Sequence, residues 1–308
     1  MADALRTALN GLRELARDHR SGAGEIADCA AALVEDFCRQ QRAGDARLPP
    51  ALLELANTTL NVQPSMAPLL NLANTIQLAA EQVSDPLRAL RSALEKFRRH
   101  RQQAPAKVAQ LFATRLPRRT TVLTYSRSST VLAALSAARR RLERVILAEG
   151  RPLYEGRALA ERLAGQGIAV TLVIDAALRE HVGAADLLVV GADTVFERAY
   201  SNKVGTRLLQ EQARTSGKPF YVLTDTGKFL PPALAPFYRI EEKPRQEVWR
   251  TPPERVTVLN RYFELVPLQR HVTLLSERGV MPQARVRAWV EQQEVARFWT
   301  ETGAKRQP

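Results

Sequence analysis

The sequence predicts an α/β protein in two parts: an N-terminal helical domain over residues 1–115, then a parallel-sheet domain over 116–308. Three observations predict it. Apolar residues recur at helical spacing along the N-terminal part, and no strand candidate precedes about residue 120. From there to about residue 224, short apolar runs alternate with amphipathic stretches, the pattern of a parallel sheet with helices on both faces. Between the two parts, Arg115-Leu-Pro-Arg-Arg119 reads as a linker.

In the helical part, Ala4, Leu5, Ala8, Leu9, Leu12, Leu15 and Ala16 recur at i, i+3 and i+4. A second helix starts near Gly24 and runs to about Arg42, with Ile26, Ala30, Leu33, Val34 and Phe37 as its stripe. Leu48-Pro49-Pro50 breaks the pattern. Helices follow around Ala51 to Leu60, Met66 to Gln82 and Pro86 to Arg101. In the sheet part the predicted strands are Thr121 to Tyr125, Arg144 to Ala148, Ile168 to Ile174, Leu187 to Gly191 and Pro219 to Thr224. Runs such as Val170-Thr-Leu-Val-Ile174 suit strands covered on both faces. The helices between them are Ser129 to Leu142, Gly156 to Gly165, a short Ala176 to His181, and Gly205 to Thr215. Beyond about residue 240 an extended segment precedes a final helix holding Val286, Trp289, Val290 and Val295, and 303–308 read as a frayed tail.

Composition excludes several classes. Hydrophobic residues at 45% and charged residues at 25% are ordinary for a globular protein, and a chain of 308 residues buries a sizeable core without staples. No apolar run approaches the roughly 18 residues that span a bilayer, so no membrane partner is expected. No secretory leader is evident in Met1 to Asn10. Cys29 and Cys38 lie in one helix, which excludes a disulfide framework and argues against zinc. The expected compartment is the reducing cytoplasm, with no cofactor. Net charge is +13, and only seven of the 45 basic residues are lysine. That charge invites a nucleic-acid partner or is a solvated surface. Arg98-Arg-His-Arg101, Arg115 with Arg118-Arg119, and Arg139-Arg-Arg141 are the patches to test, and their plain reading is solvated helix faces and a linker.

In open parallel sheets, ligands bind beyond the carboxyl ends of the strands. Ser126 to Ser129, Glu149 to Pro152, Asp175, Gly191 to Asp193 and Asp225 to Lys228 occupy those positions. The set suits a phosphorylated ligand. Ser128 and Ser129 open a helix, where free amides and the helix dipole favour phosphate, although a plain N-cap accounts for them equally. Arg127, Lys203 and Lys228 supply opposite charge. Gly165-Gln-Gly167 precedes a strand and reads as a helix C-cap, not a dinucleotide fingerprint. The four histidines are scattered, and no nucleophile elbow is evident.

Several motifs, in order, resemble one superfamily. They are Ser21-Gly-Ala-Gly-Glu-Ile-Ala27, Arg151-Pro-Leu-Tyr-Glu-Gly-Arg157, Gly191-Ala-Asp193, Asn202-Lys-Val-Gly-Thr206, Lys228-Phe229, and Asn260-Arg-Tyr-Phe263 followed by Pro267. The superfamily joins the alpha, beta and delta subunits of eukaryotic translation initiation factor 2B with ribose-1,5-bisphosphate isomerase and 5-methylthioribose-1-phosphate isomerase. The resemblance implies a helical domain on a Rossmann-like domain, a ligand in the cleft between them, and a homodimer or higher oligomer. In the family's isomerases a cysteine and an aspartate move protons between C1 and C2 of a ring-opened aldose 1-phosphate, giving a ketose.

Carried over by resemblance, the aspartate falls at Asp193 and the catalytic cysteine at Ser126. The ligand site falls at Gly22, Ala23, Gly24, Ser128, Ser129, Thr130, Asn202, Lys203 and Lys228. Arg127 and Arg151 are added as strand-end cations, and Arg20 stands one residue from Ser21, where the family has an arginine. A second family arginine falls at Gln63, and the Gln-Gly of the methylthioribose enzymes at Glu155-Gly156. A thiol titrates near pH 8.5, whereas a serine hydroxyl needs an adjacent base to move a proton. Two lost arginines remove charge-assisted bonds of about 1.5–3 kcal/mol each. These departures favour a divergent initiation-factor-2B-like protein that binds a phosphorylated sugar or nucleotide and has a regulatory or scaffold role. Two alternatives stand beside it: a ribose-1,5-bisphosphate isomerase-like aldose–ketose isomerase using Asp193 and Ser126, and a basic RNA- or ribosome-binding protein. Whether the chain is an enzyme stays open.

Overall fold

The computed structural model describes residues 1–19, 21–82 and 84–304. The chain opens with helices α1 (Ala2–Leu15), α2 (Ala23–Arg39), α3 (Leu48–Leu60), α4 (Ala67–Ala80) and α5 (Pro86–Ala113). Their apolar stripes meet in a core of Leu12, Ile26, Phe37, Leu52 and Leu69, all essentially inaccessible to solvent. Leu48-Pro49-Pro50, expected as a break, begins α3. Proline at the first helical positions gives up no bond, because those N–H groups have no partner inside the helix. The fifth helix runs past Arg101 to Ala113 with Pro105 inside it, so this proline does not end the helix.

Two compact units divide the chain, and the division falls within α5, between Gln103 and Ala104. The second unit holds Ala104–Thr226 and Ile240–Val286. Its strands are β1 (Thr120–Thr124), β2 (Leu142–Ala148), β3 (Val170–Val173), β4 (Leu187–Gly191), β5 (Thr194–Val195), β6 (Ala199–Lys203), β7 (Phe220–Leu223), β8 (Phe263–Pro267), β9 (Val272–Ser276) and β10 (Gly279–Val280). The main sheet has the order β10-β9-β7-β4-β1-β2-β3 and is parallel except at β10. Helices α6 (Ser129–Ala137), α7 (Glu155–Ala164) and α8 (Thr206–Thr215) lie between strands. The expected helix from Ser129 ends at Ala137, and a 3-10 turn, Arg139–Arg141, leads into β2. β4 is buried along its whole length, as a central parallel strand requires. Val108 and Phe112 of α5 and Val131 and Leu135 of α6 pack with Val122, Val145 and Val189 of the sheet. A second, antiparallel sheet of order β5-β6-β8 follows β4.

The first unit also takes in Gly227–Arg239 and the chain from Arg287 onward. Two short helices, α9 (Gln283–Glu291) and α10 (Arg297–Ala304), stand where one final helix was expected, and Val295 lies in the gap between them. Trp299 of α10 is fully buried, edge-on to Phe237 with ring centroids 5.0 Å apart. The Asn74 amide of α4 ties this segment down: its nitrogen donates to Glu294 O at 2.9 Å and its oxygen accepts from Ala296 N at 3.0 Å.

Candidate functional site

The strand order runs β3-β2-β1 to one side and β4-β7 to the other, so the direction of winding reverses between β1 and β4. That reversal opens a crevice at the carboxyl ends of the two strands, where open α/β sheets bind ligands. β1 leads into Tyr125 and then Ser126, whose backbone is left-handed at φ +65°. A left-handed serine costs about 1–2 kcal/mol. The turn it makes leads straight into α6. Ser128 caps that helix, its Oγ accepting from Val131 N at 3.3 Å. β4 ends at Gly191, where a Cβ would lie 2.5 Å from the Ser128 Oγ. Glycine there lets the two strand ends approach. Asp193 then turns the chain into β5, its N–H donating to Ser201 O at 2.9 Å.

The hairpin of β5 and β6 carries Asn202 and Lys203, both buried. Asn202 Nδ2 donates to Thr206 Oγ1 at 2.9 Å, and that hydroxyl donates to Lys203 O at 2.6 Å. Gly205 follows at φ +103°, with the Tyr125 ring 3.2 Å from where a Cβ would stand. Tyr125 OH donates to Val204 O at 2.8 Å. Burial, reinforced by Asp175, Glu155 and Glu264, pushes the Tyr125 phenol well above its ordinary range. Glu264 of β8 caps α8, accepting from Gly205 N at 2.8 Å and Arg207 N at 2.9 Å.

Glu155, the first residue of α7, joins these pieces. Its Oε1 lies 2.5 Å from Lys203 Nζ, and Ser126 Oγ donates to the same oxygen at 3.3 Å. The side chains of Lys203 and Glu155 are only 4% and 17% exposed. Glu155 Oε2 is buried with no hydrogen-bond partner. The Lys203 ammonium also sits 5.2 Å from the centre of the Tyr262 ring, and Lys243 sits 5.9 Å from it. Tyr262 OH donates to Glu247 Oε2, which also accepts from Asn260 Nδ2 at 2.7 Å. Burial holds the Lys243 ammonium below its ordinary pKa and pushes the Tyr262 phenol far above its own.

Arg151 follows β2 on a loop fixed by Asp175, which accepts from Gly150 N at 3.1 Å and Arg151 N at 2.8 Å. Its guanidinium bonds Tyr154 OH at 2.5 Å. Arg127 lies on the turn between Ser126 and Ser128, half-buried, and Ser129 and Thr130 form the first turn of α6. Gly22, Ala23, Gly24 and Lys228 belong to the first unit. There Gly22 N donates to Glu25 Oε2 at 2.9 Å as α2 begins. A Cβ on Gly24 would lie 2.2 Å from the guanidinium of Arg101, which Asp28 holds through both its oxygens at 2.9 and 3.2 Å. Arg20 lies outside the described residues. Glu155 and Arg101 are contacts that sequence reading did not assign. Glu155 registered only as the residue in place of a glutamine, and Arg101 only as one of a basic run.

Neither cysteine takes part. Cys38 is buried on α2, where burial pushes its thiol up to about 12. Among the described residues no group of three histidine, cysteine or acidic side chains is placed to hold a metal, and no helix is long and apolar enough to cross a membrane. A groove of about 540 Å³ in the first unit, lined by Leu12, Ala16, Asn57 and Val62, contains none of the candidate ligand-site residues.

Similarity to known proteins extends over most of the chain. The chain is 30% identical over 271 residues to a ribose 1,5-bisphosphate isomerase of Archaeoglobus fulgidus, covering 85% of each. It is 33% identical over 240 residues to a putative translation initiation factor eIF-2B subunit 2-like protein of Pyrococcus furiosus, covering 77% of this chain and 83% of that one. Its fold matches the crystal structure of the Pyrococcus horikoshii translation initiation factor eIF-2B with a TM-score of 0.77 at 29% identity, over 89% of this chain and 96% of that one. The model of the initiation factor 2 subunit family matches residues 19–283, and the chain belongs to that family.

Proposed function

We propose that this chain binds a phosphorylated sugar or nucleotide at the carboxyl ends of β1 and β4 and serves as a regulatory or scaffold member of its family. The observation that carries this reading is the Ser126–Glu155–Lys203 group. Serine stands where the resemblance puts the catalytic cysteine, and its hydroxyl is given to Glu155. Lys203, a cation the resemblance assigns to the ligand, is already paired with that carboxylate. The groups placed to meet a phosphate are the opening turn of α6 and, on the turn before it, the Arg127 side chain.

The test is a thermal-shift and calorimetric series with ribose 1,5-bisphosphate, ribose 5-phosphate and AMP. A binder at about 100 times its Kd stabilises by about 2.7 kcal/mol. The Arg127→Ala variant weakens it by a factor of about 10 to 150, the loss of one charge-assisted bond. Absence of any stabilising phosphorylated compound sinks the binding part. Turnover of ribose 1,5-bisphosphate that is abolished by Asp193→Asn sinks the non-catalytic part.

One observation favours the isomerase reading instead. The hydrogen bond from Ser126 Oγ to Glu155 puts a carboxylate beside the hydroxyl, as a serine that moves protons requires. Under that reading Ser126→Ala removes a measurable isomerase activity while ligand-induced stabilisation persists.

A further inference from the structure

We propose that the amino end of the main sheet in the second unit is a binding surface for the phosphate backbone of a nucleic-acid helix. Parallel pairing brings two arginine runs together there. β1 and β2 are neighbours, with Thr120 opposite Leu142 and Thr121 opposite Arg144. Arg118 and Arg119, just before β1, therefore enter the sheet beside the 3-10 turn Arg139–Arg141, just before β2. All of these arginines, and Arg144 inside β2, are exposed.

Charge compensation is sparse at this end. Arg119 pairs with Glu143 at 3.0 Å. Asp186, also near this end, accepts from the Thr121 amide at 2.7 Å. Arg141 donates to the carbonyl of Leu116 at 2.8 Å, a contact that positions its guanidinium without neutralising it. Arg118, Arg139, Arg140 and Arg144 have no carboxylate partner among the described residues. The arginine run of α5 is different: Arg98 lies 4.0 Å from Glu35, Arg99 2.8 Å from Glu95, and Arg101 2.9 Å from Asp28. Among the described residues, the basic runs at the sheet's amino end combine into a surface of mostly uncompensated charge.

The chemistry of that surface fits phosphate. Guanidinium groups present forked donors that match phosphate oxygens. The runs 115–119 and 139–144 contain no aromatic residue, so nothing there stacks on an unpaired base. A duplex, with one charge per about 1.7 Å of axis, offers phosphates without requiring stacking. β1 spans about 17 Å at 3.3 Å per residue, which separates this surface from the strand ends carrying Ser126 and Asp193. The two sites can act independently.

Binding of a labelled DNA duplex of about 20 base pairs, measured by anisotropy across salt concentrations, tests the proposal. Four phosphate contacts at about 0.9 each in the log–log slope weaken binding about 150-fold between about 50 and 200 mM salt. The Arg118→Gln, Arg139→Gln, Arg140→Gln triple variant retains one of the four, and its affinity changes only about 3- to 4-fold over the same range. Arg140→Glu alone lowers the slope by at least about 0.9, and serves if the triple variant fails to fold. The Arg98→Gln, Arg99→Gln pair on α5 keeps the full slope. Overturning results are an unchanged slope in the triple variant or in Arg140→Glu, a wild-type affinity indifferent to salt, or tighter binding to phosphatidylserine vesicles than to the duplex at equal phosphate.

Discussion

Lys203 holds its charge where water scarcely reaches it, and Glu155 is the carboxylate that compensates. Removing one partner of a buried pair leaves the other desolvated and unpaired, which costs more than the pair itself contributes. Glu155→Ala is therefore expected to destabilise the chain by about 3 kcal/mol in urea denaturation. Glu155→Gln is expected to cost less, because its amide oxygen still accepts from Lys203. If Glu155→Ala unfolds at the wild-type midpoint, the ion pair is not formed in solution. The strand-end rule pointed to Ser126 and Asp193, and the motif order to Asn202 and Lys203. Glu155 escaped because an acid in the first turn of a helix is an ordinary partner of the helix dipole. Its role depends on β6 returning to α7, a tertiary fact that no local pattern encodes.

The elements legible in the sequence are those whose environment is uniform. β4, Leu187–Gly191, is apolar along its length because both faces are covered, and it stands where it was expected. β6 reads Ala-Tyr-Ser-Asn-Lys, and its burial rests on side-chain bonds such as Tyr200 OH to Gln210 Oε1 at 2.7 Å, so hydropathy did not reveal it. Pro49 and Pro50, expected as a break, start a helix instead, and Pro105 sits inside α5. Glycine 156 shows how tightly α7 docks on β2: a Cβ there would fall 1.8 Å from Ala148 O, a backbone atom that cannot swing aside. Gly156→Ala is expected to cost about 3 kcal/mol or more, at the upper end of overpacking effects. Thermal denaturation checks this, and a wild-type midpoint would mean the helix can shift without penalty.

At the scale of the whole molecule, the order of the chain and the order of its packing differ. The first unit is built from three separate stretches of sequence, and Trp299 is part of its core. Trp299→Ala is expected to cost about 3–5 kcal/mol, despite lying close to the C-terminal end of the sequence. Hydrogen exchange would show the loss as weakened protection of the α4 amides around Asn74, which holds the same segment. Unchanged protection there would mean that the tail does not brace the helices. This assembly has a consequence during synthesis. A ribosome adds about 5–20 residues per second, so α1 to α4 wait roughly 10 to 40 seconds for the residues that complete their core. During that interval the nascent helices present unburied leucine and alanine faces, the kind of surface that chaperones bind.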